Sequence, residues 1–156
     1  MASQQLFVEV PVGRARVVDV SGNRKVIRSL SAAASLKPED TSKEIHLASA
    51  TAFTVTLPAL ADVPNGWNVR VRVSTKPGSG THTVQEATAS DTNVLVGSIS
   101  VSENSDASVA AGNVTGFTNV NFTTTAIASD FIDIKKYGSN FYVSGHASLQ
   151  AAVTFT

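Results

Sequence analysis

Between Phe53 and Val73 the chain reads FTVTLPALADVPNGWNVRVRV. Phe53, Val55 and Leu57 alternate with Thr54 and Thr56, and beyond a Pro- and Gly-bearing connection Val69, Val71 and Val73 alternate with Arg70 and Arg72. Period-two alternation puts successive side chains on opposite faces, so each run predicts a strand with one face buried and one face wet. Pro58 ends the first run because it has no N–H to give to a ladder. Val63-Pro64-Asn65-Gly66 then supplies turn chemistry, Pro by its fixed φ and Asn or Gly by tolerating positive φ. The two strands are expected to meet as neighbours in an antiparallel sheet. Trp67, the single tryptophan, opens the second strand and is expected as a core or interface anchor. Arg70 and Arg72 share the wet face, either simply exposed or paired with acids of a neighbouring subunit in a rim contact.

Length and composition agree with this start. A chain of 156 residues suits one domain, with room for an added arm, and is long enough to bury a substantial core. Only 15% of residues are charged, so much of the polar surface must be hydroxyl and amide, which favours strands and turns over helices. The formal net charge is zero, which gives no case for nucleic-acid binding by the molecule as a whole. The charge is uneven, however. Arg14, Arg16, Arg24, Lys25 and Arg28 face only Glu9 and Asp19 over residues 1–30, whereas residues 77–156 carry Lys135 and Lys136 against six acids. A basic front and an acidic body could dock on a partner or on another copy. Cysteine is absent, which excludes disulfides and thiolate chemistry. No apolar run is long enough to predict a membrane span, and MASQQLFVEV carries no secretory signal pattern.

In chain order, residues 5–28 read as β-patterned runs joined at Gly13 and at Ser21-Gly22-Asn23, a hairpin signal. Residues 1–40 are expected to form an arm or extra hairpin plus connector, with the boundary at 37–43, and residues 41–156 the body. SLSAAASLKPED is the one helix candidate, too short and too soon closed by Pro38 to exceed a turn. In the body, Glu44–Leu47, the Phe53 and Val69 runs, Thr81–Ala87, Asp91–Val101 and the closing pair Phe131–Lys136 and Phe141–Ser144 read as strands. Gly97 marks a break, bulge or bend. Residues 102–125 read as a long loop with a short strand at its end, anchored by Phe117, Val120 and Phe122, or as a section ordered by a neighbouring subunit. SLQAAVTFT either finishes a sheet or pairs with another chain. The expected fold is all-β, an antiparallel sandwich or barrel-like, jelly-roll-like domain with an extended N-terminal β arm and little helix.

Catalytic chemistry is not visible. His46, His82 and His146 are too far apart for a local metal pair and read as surface or sheet-face residues. Gly78-Ser79-Gly80 lacks the Lys-Ser/Thr and following helix of a phosphate loop, Asp91-Thr92-Asn93 lacks the glycine and terminal glutamate of a calcium loop, and no GxSxG occurs. Glu86, Asp91, Glu103, Asp106, Asp130 and Asp133 read as solvated acids. Tyr137, Phe141 and Tyr142 cluster at a hairpin, either as core packing or as a platform for a sugar. No enzyme, cofactor or metal is expected.

From Ile45 to Gly145 the order of motifs resembles a β module of tailed-phage virion proteins: a strand ending in VTLP, a Pro/Gly turn into an aromatic and an alternating valine strand, a THTV strand, a Gly-Ser-Ile step, and Gly138-Ser139-Asn140-Phe141-Tyr142-Val143-Ser144-Gly145 near the end, with Phe where Trp is frequent. The module occurs in capsid decoration (cement) proteins and in head or tail fibres. The resemblance implies a non-enzymatic protein on the capsid surface of the virion, a homotrimer that binds the major capsid protein and stabilises the head, touching neither nucleic acid nor membrane. It implies contacts through residues 5–28 and the 102–125 region, with Phe7, Val8, Arg14, Arg16, Arg24, Arg28, Trp67, Arg70, Arg72, Phe117 and Phe122 as the candidates. A fibre or spike module for a host-surface glycan, or another head or tail component, is the alternative.

Overall fold

A computed structural model describes residues 26–87, 93–102 and 114–156. Phe7, Val8, Arg14, Arg16 and Arg24, the arm expected before residue 26, and Asp91, Glu103 and Asp106 lie outside the described residues. The described chain is an all-β sandwich of two sheets. Its strands are β1 (Ile27–Leu30), β2 (Ala34–Ser35), β3 (Glu44–Ala48), β4 (Thr54–Thr56), β5 (Asn68–Thr75), β6 (His82–Gln85), β7 (Leu95–Val101), β8 (Val114–Phe117), β9 (Asn119–Phe122), β10 (Phe131–Tyr137), β11 (Asn140–Ala147) and β12 (Val153–Phe155). One sheet has seven strands in the order β1-β3-β5-β10-β11-β7-β8, and the other has five in the order β12-β9-β6-β4-β2.

Both sheets are mixed where the sequence reading expected antiparallel pairing throughout. From β1 to β6 the chain visits the two sheets in strict alternation, and successive turns of this coil stack in parallel: β1 on β3 on β5 in one sheet, β2 on β4 on β6 in the other. Parallel neighbours need a crossover connection, and here the crossover is a strand of the opposite sheet. The expected pairing of the Phe53 and Val69 runs is therefore wrong, since β4 and β5 lie in different sheets. Residues 58–67 arch between the layers, with Leu57, Val63 and Trp67 buried along the way. Alternation specified the buried face of each strand correctly, but carries no information about partners.

The N-terminal boundary also moves. β1 and β2 are built into the sheets, Leu30 and Leu36 are buried, and Arg28 binds Asp40, so residues 26–40 belong to the body. The helix candidate yields β2 and a single 3-10 turn at Pro38–Asp40. After β6 the remaining pairs are antiparallel, except that β7 lies parallel to β11. β10 and β11 form the expected closing hairpin, whose Gly138 has φ +59° while Ser139 does not take a positive φ, the pattern of a two-residue II′ turn. β12 finishes the five-stranded sheet against β9.

Ile45, Leu47, Val69, Val71, Val73, Ile132, Ile134, Phe141 and Val143 face Val55, Val84, Val120, Phe122 and Val153 across the core. Each such burial contributes about 1.5–3 kcal/mol relative to exposure. Trp67, 1% exposed, meets Phe141 edge-on at 5.8 Å and donates its Nε1–H to Pro38 O at 3.1 Å. It is a core anchor that ties the arch to the first coil turn.

Candidate functional site

Register assembles the outer face of the seven-stranded sheet. Glu44 on β3 stands beside Arg70 on β5, Arg70 beside Asp133 on β10, Asp133 beside Ser144 on β11, and Ser144 beside Ser98 on β7. One row on, His46, Arg72, Phe131, His146 and Ser100 follow the same order, and one row in the other direction Asn68, Lys135, Tyr142 and Val96 do so. Adjacent strands lie about 4.8 Å apart, so cross-strand neighbours touch.

The two arginines find their acids within the chain rather than on a neighbouring subunit. Arg70 grips Asp133 with two hydrogen bonds, Nε to Oδ1 at 2.7 Å and Nη2 to Oδ2 at 2.6 Å, and its guanidinium lies 4.1 Å from the centre of the Phe131 ring. Bidentate geometry and stacking are both specific to a planar guanidinium. The Asp133 hydrogen bond raises the Arg70 pKa, burial opposes it, and the charges of Asp133 and Glu44 add to the rise. Arg72 Nε lies 2.8 Å from Glu44 Oε1, an ion pair whose angle falls short of a hydrogen bond, and His46 Nε2 lies 3.0 Å from the same oxygen. Burial alone would raise the Glu44 carboxyl; the His46 hydrogen bond and the charges of Arg72, His46 and Arg70 outweigh it and hold its pKa below the ordinary value.

A cleft of about 640 Å³ opens on this face. Short side chains, Ser98 and Ser144, leave the floor low between the Arg70–Asp133 pair and Tyr142, and Lys43 and Lys135 stand at the walls. Gly97 permits the floor's close packing: a Cβ there would lie 1.8 Å from Val143 O, and its φ is +146°.

Among the described residues three carboxylates are buried, and each is a staple. Asp130 accepts hydrogen bonds from Ile127 N, Ser148 N and Ser148 Oγ, tying the turn before β10 to the end of β11. Glu86 accepts from the backbone N–H groups of Asn93 and Val94 at 3.0 Å each. Asp40 accepts from Lys37 N, Arg28 and Lys43. Burial would raise the Asp40 carboxyl, but Lys43, the Lys37 N–H and Arg28 together hold it below the ordinary value. Glu86 and Asp130 were expected as solvated acids and are not: both are buried and accept hydrogen bonds from backbone N–H groups. His82, read as a surface or sheet-face residue, lies on the buried face of β6, its Nε2 2.9 Å from Ser49 O and 3.2 Å from Thr75 O. Both partners are carbonyls that only accept, so Nε2 carries the hydrogen.

His146 touches the hydroxyls of Ser102 and Ser100 at 3.2 and 3.5 Å, but its second nitrogen meets a hydroxyl rather than a carboxylate, so no third group orients it as a base. Among the described residues no group of three or more His, Cys, Asp or Glu is arranged to hold a metal ion, and no helix is long and apolar enough to cross a membrane. This face presents fixed charges, hydroxyls and the exposed ring of Tyr142.

Of the sequence-predicted contacts, Arg70 and Arg72 fall together on this face. Arg28 sits apart, held by Asp40. Trp67, Phe117 and Phe122 are core residues. The aromatic trio splits, with Phe141 in the core and Tyr137 and Tyr142 exposed. Asp133, Phe131, Tyr142 and Lys135 complete the site; alternation in FIDIKK placed the first two on one wet face, but their neighbours followed only from register. Compared with known proteins, the chain matches no family model, no curated protein and no solved structure.

Proposed function

We propose that the chain is a non-enzymatic structural protein of a phage virion, a capsid decoration (cement) protein that binds the outside of the head as an oligomer, with a homotrimer as the expected state and the major capsid protein as its partner. The observation that carries this reading is the junction at β1. The Arg-rich, β-patterned segment before residue 26 runs directly into an edge strand of the seven-stranded sheet, beside Val26 and Ile27, which are 63% and 58% exposed. A sheet edge with exposed apolar residues and a basic extension suits main-chain pairing with a shell protein or a neighbouring copy. The motif order over residues 45–146 supports the same class. Binding the assembled shell better than any other state would stabilise it by mass action over many sites.

The test is a truncation lacking residues 1–25, incubated with undecorated heads. Loss of head binding with an unchanged melting transition supports the reading, and undiminished binding contradicts attachment through this segment.

A further inference from the structure

The cleft on the seven-stranded sheet is not accounted for by capsid attachment through the N-terminal segment, and it brings charged, hydroxyl and aromatic side chains together. We infer that it binds a saccharide bearing a carboxylate. Its volume, about 640 Å³, lies in the range of small-ligand sites. Tyr142 stands at its wall 48% exposed, an aromatic face available to stack on the C–H face of a sugar ring. The Arg70–Asp133 pair is held in place by two hydrogen bonds and by Phe131 beneath the guanidinium, and it retains unused capacity. Arg70 Nη1 and the remaining lone pairs of Asp133 offer a donor and acceptors to neighbouring sugar hydroxyls.

Charge selects the acid. Asp133 neutralises Arg70 and Asp40 engages Lys43, whereas Lys135, exposed and next to Tyr142 in register, pairs with no acid among the described residues. Asp40 is shared with Arg28, so cations exceed acids around the cleft, and Lys135 is placed where a ring stacked on Tyr142 would present a carboxylate. An acidic peptide fits less well. The strands lining the cleft, β5, β10, β11 and β7, are each paired on both sides, so no free edge is available for strand addition, and the floor at Ser98 and Ser144 offers hydroxyls in place of apolar side-chain pockets.

The experiment is an NMR titration of the full chain with trigalacturonic acid, with maltotriose as its uncharged counterpart and tetraglutamate as the peptide probe, preceded by a glycan array containing uronic and sialic acids. Expected are shifts at Tyr142, Ser98 and Ser144 on adding a carboxylated glycan, weaker binding by about tenfold in Tyr142→Ala, and loss of preference for the charged glycan in Lys135→Gln. Both side chains are exposed, and an unchanged melting temperature confirms that the variants fold. Absence of binding by every carboxylated glycan at millimolar concentration, shifts confined to another face, or equal binding of tetraglutamate overturns the inference.

Discussion

The two outer faces of the sandwich solve the same problem, presenting a wet surface over one shared core, with different chemistry. On the seven-stranded sheet the polar positions are ionic: Glu44 with Arg72, Asp133 with Arg70, and a stacked Phe131 between the arginines and His146. On the five-stranded sheet they are neutral. Thr83 donates to Asn121 at 2.8 Å, Gln85 to Thr56 at 3.2 Å and Asn121 to Thr156 at 3.3 Å, and the one ionisable residue in its strands, His82, points inward. Among the described strands, outward-facing charge and exposed tyrosine are thus confined to the seven-stranded sheet. The charged side carries the cleft of about 640 Å³; the neutral side has a ladder of hydroxyl and amide groups largely satisfied by one another.

The largest predicted effect should be blind to this difference. Trp67→Ala removes the anchor shared by arch, coil and hairpin, and a loss of about 3–5 kcal/mol is expected in denaturant unfolding. Probes on either face should report the same transition. A smaller loss, about 2 kcal/mol, is expected for Asp130→Ala, which leaves the Ile127 and Ser148 N–H groups without their acceptor.

pH sharpens the comparison. Asp40 and Glu44 both have folded pKa values below the ordinary carboxylate range. A carboxyl of this kind adds stability that is fully present above its unfolded value and lost as pH falls through the folded one. Acid titration should therefore loosen the β1–β3–β5 side first, and Asp40→Asn should be less stable at neutral pH with a shallower decline below about pH 4. Equal acid sensitivity of the wild type and Asp40→Asn would contradict this. Arg70, with a raised pKa, contributes at all pH values below its ordinary one and so adds no slope in this window.

The smallest effects separate the faces directly. Asp133→Asn should cost at most about 1 kcal/mol, a loss that shrinks as salt screens the half-exposed pair. Thr83→Val on the other face should change stability by no more than about 0.5 kcal/mol, with no dependence on salt. Similar salt dependence for both variants would erase the distinction.

How far this was legible in the sequence follows from what alternation encodes. EIHL, NVRVRV, THTV and FIDIKK each declared which side chains go in and which stay out, and the structure agrees strand by strand. Partners were another matter. The pairings of β3 with β5 and of β7 with β11 are parallel and long-range, with no turn residue to announce them, whereas the β10–β11 hairpin is local and its Gly138-Ser139 turn was readable. The same limit hid the site, because Arg70 meets Asp133 across 63 positions of sequence. Glu86 and Asp130 were misplaced on the surface for a different reason: their partners are mainly backbone N–H groups, which almost every residue carries and no motif reveals.

The central claim, a protein of the capsid surface, is tested most directly by the copy number of this chain in purified particles, measured by quantitative mass spectrometry against the main shell protein. The account predicts many copies at a fixed ratio to the shell subunit. A handful of copies per particle, or none, would contradict it.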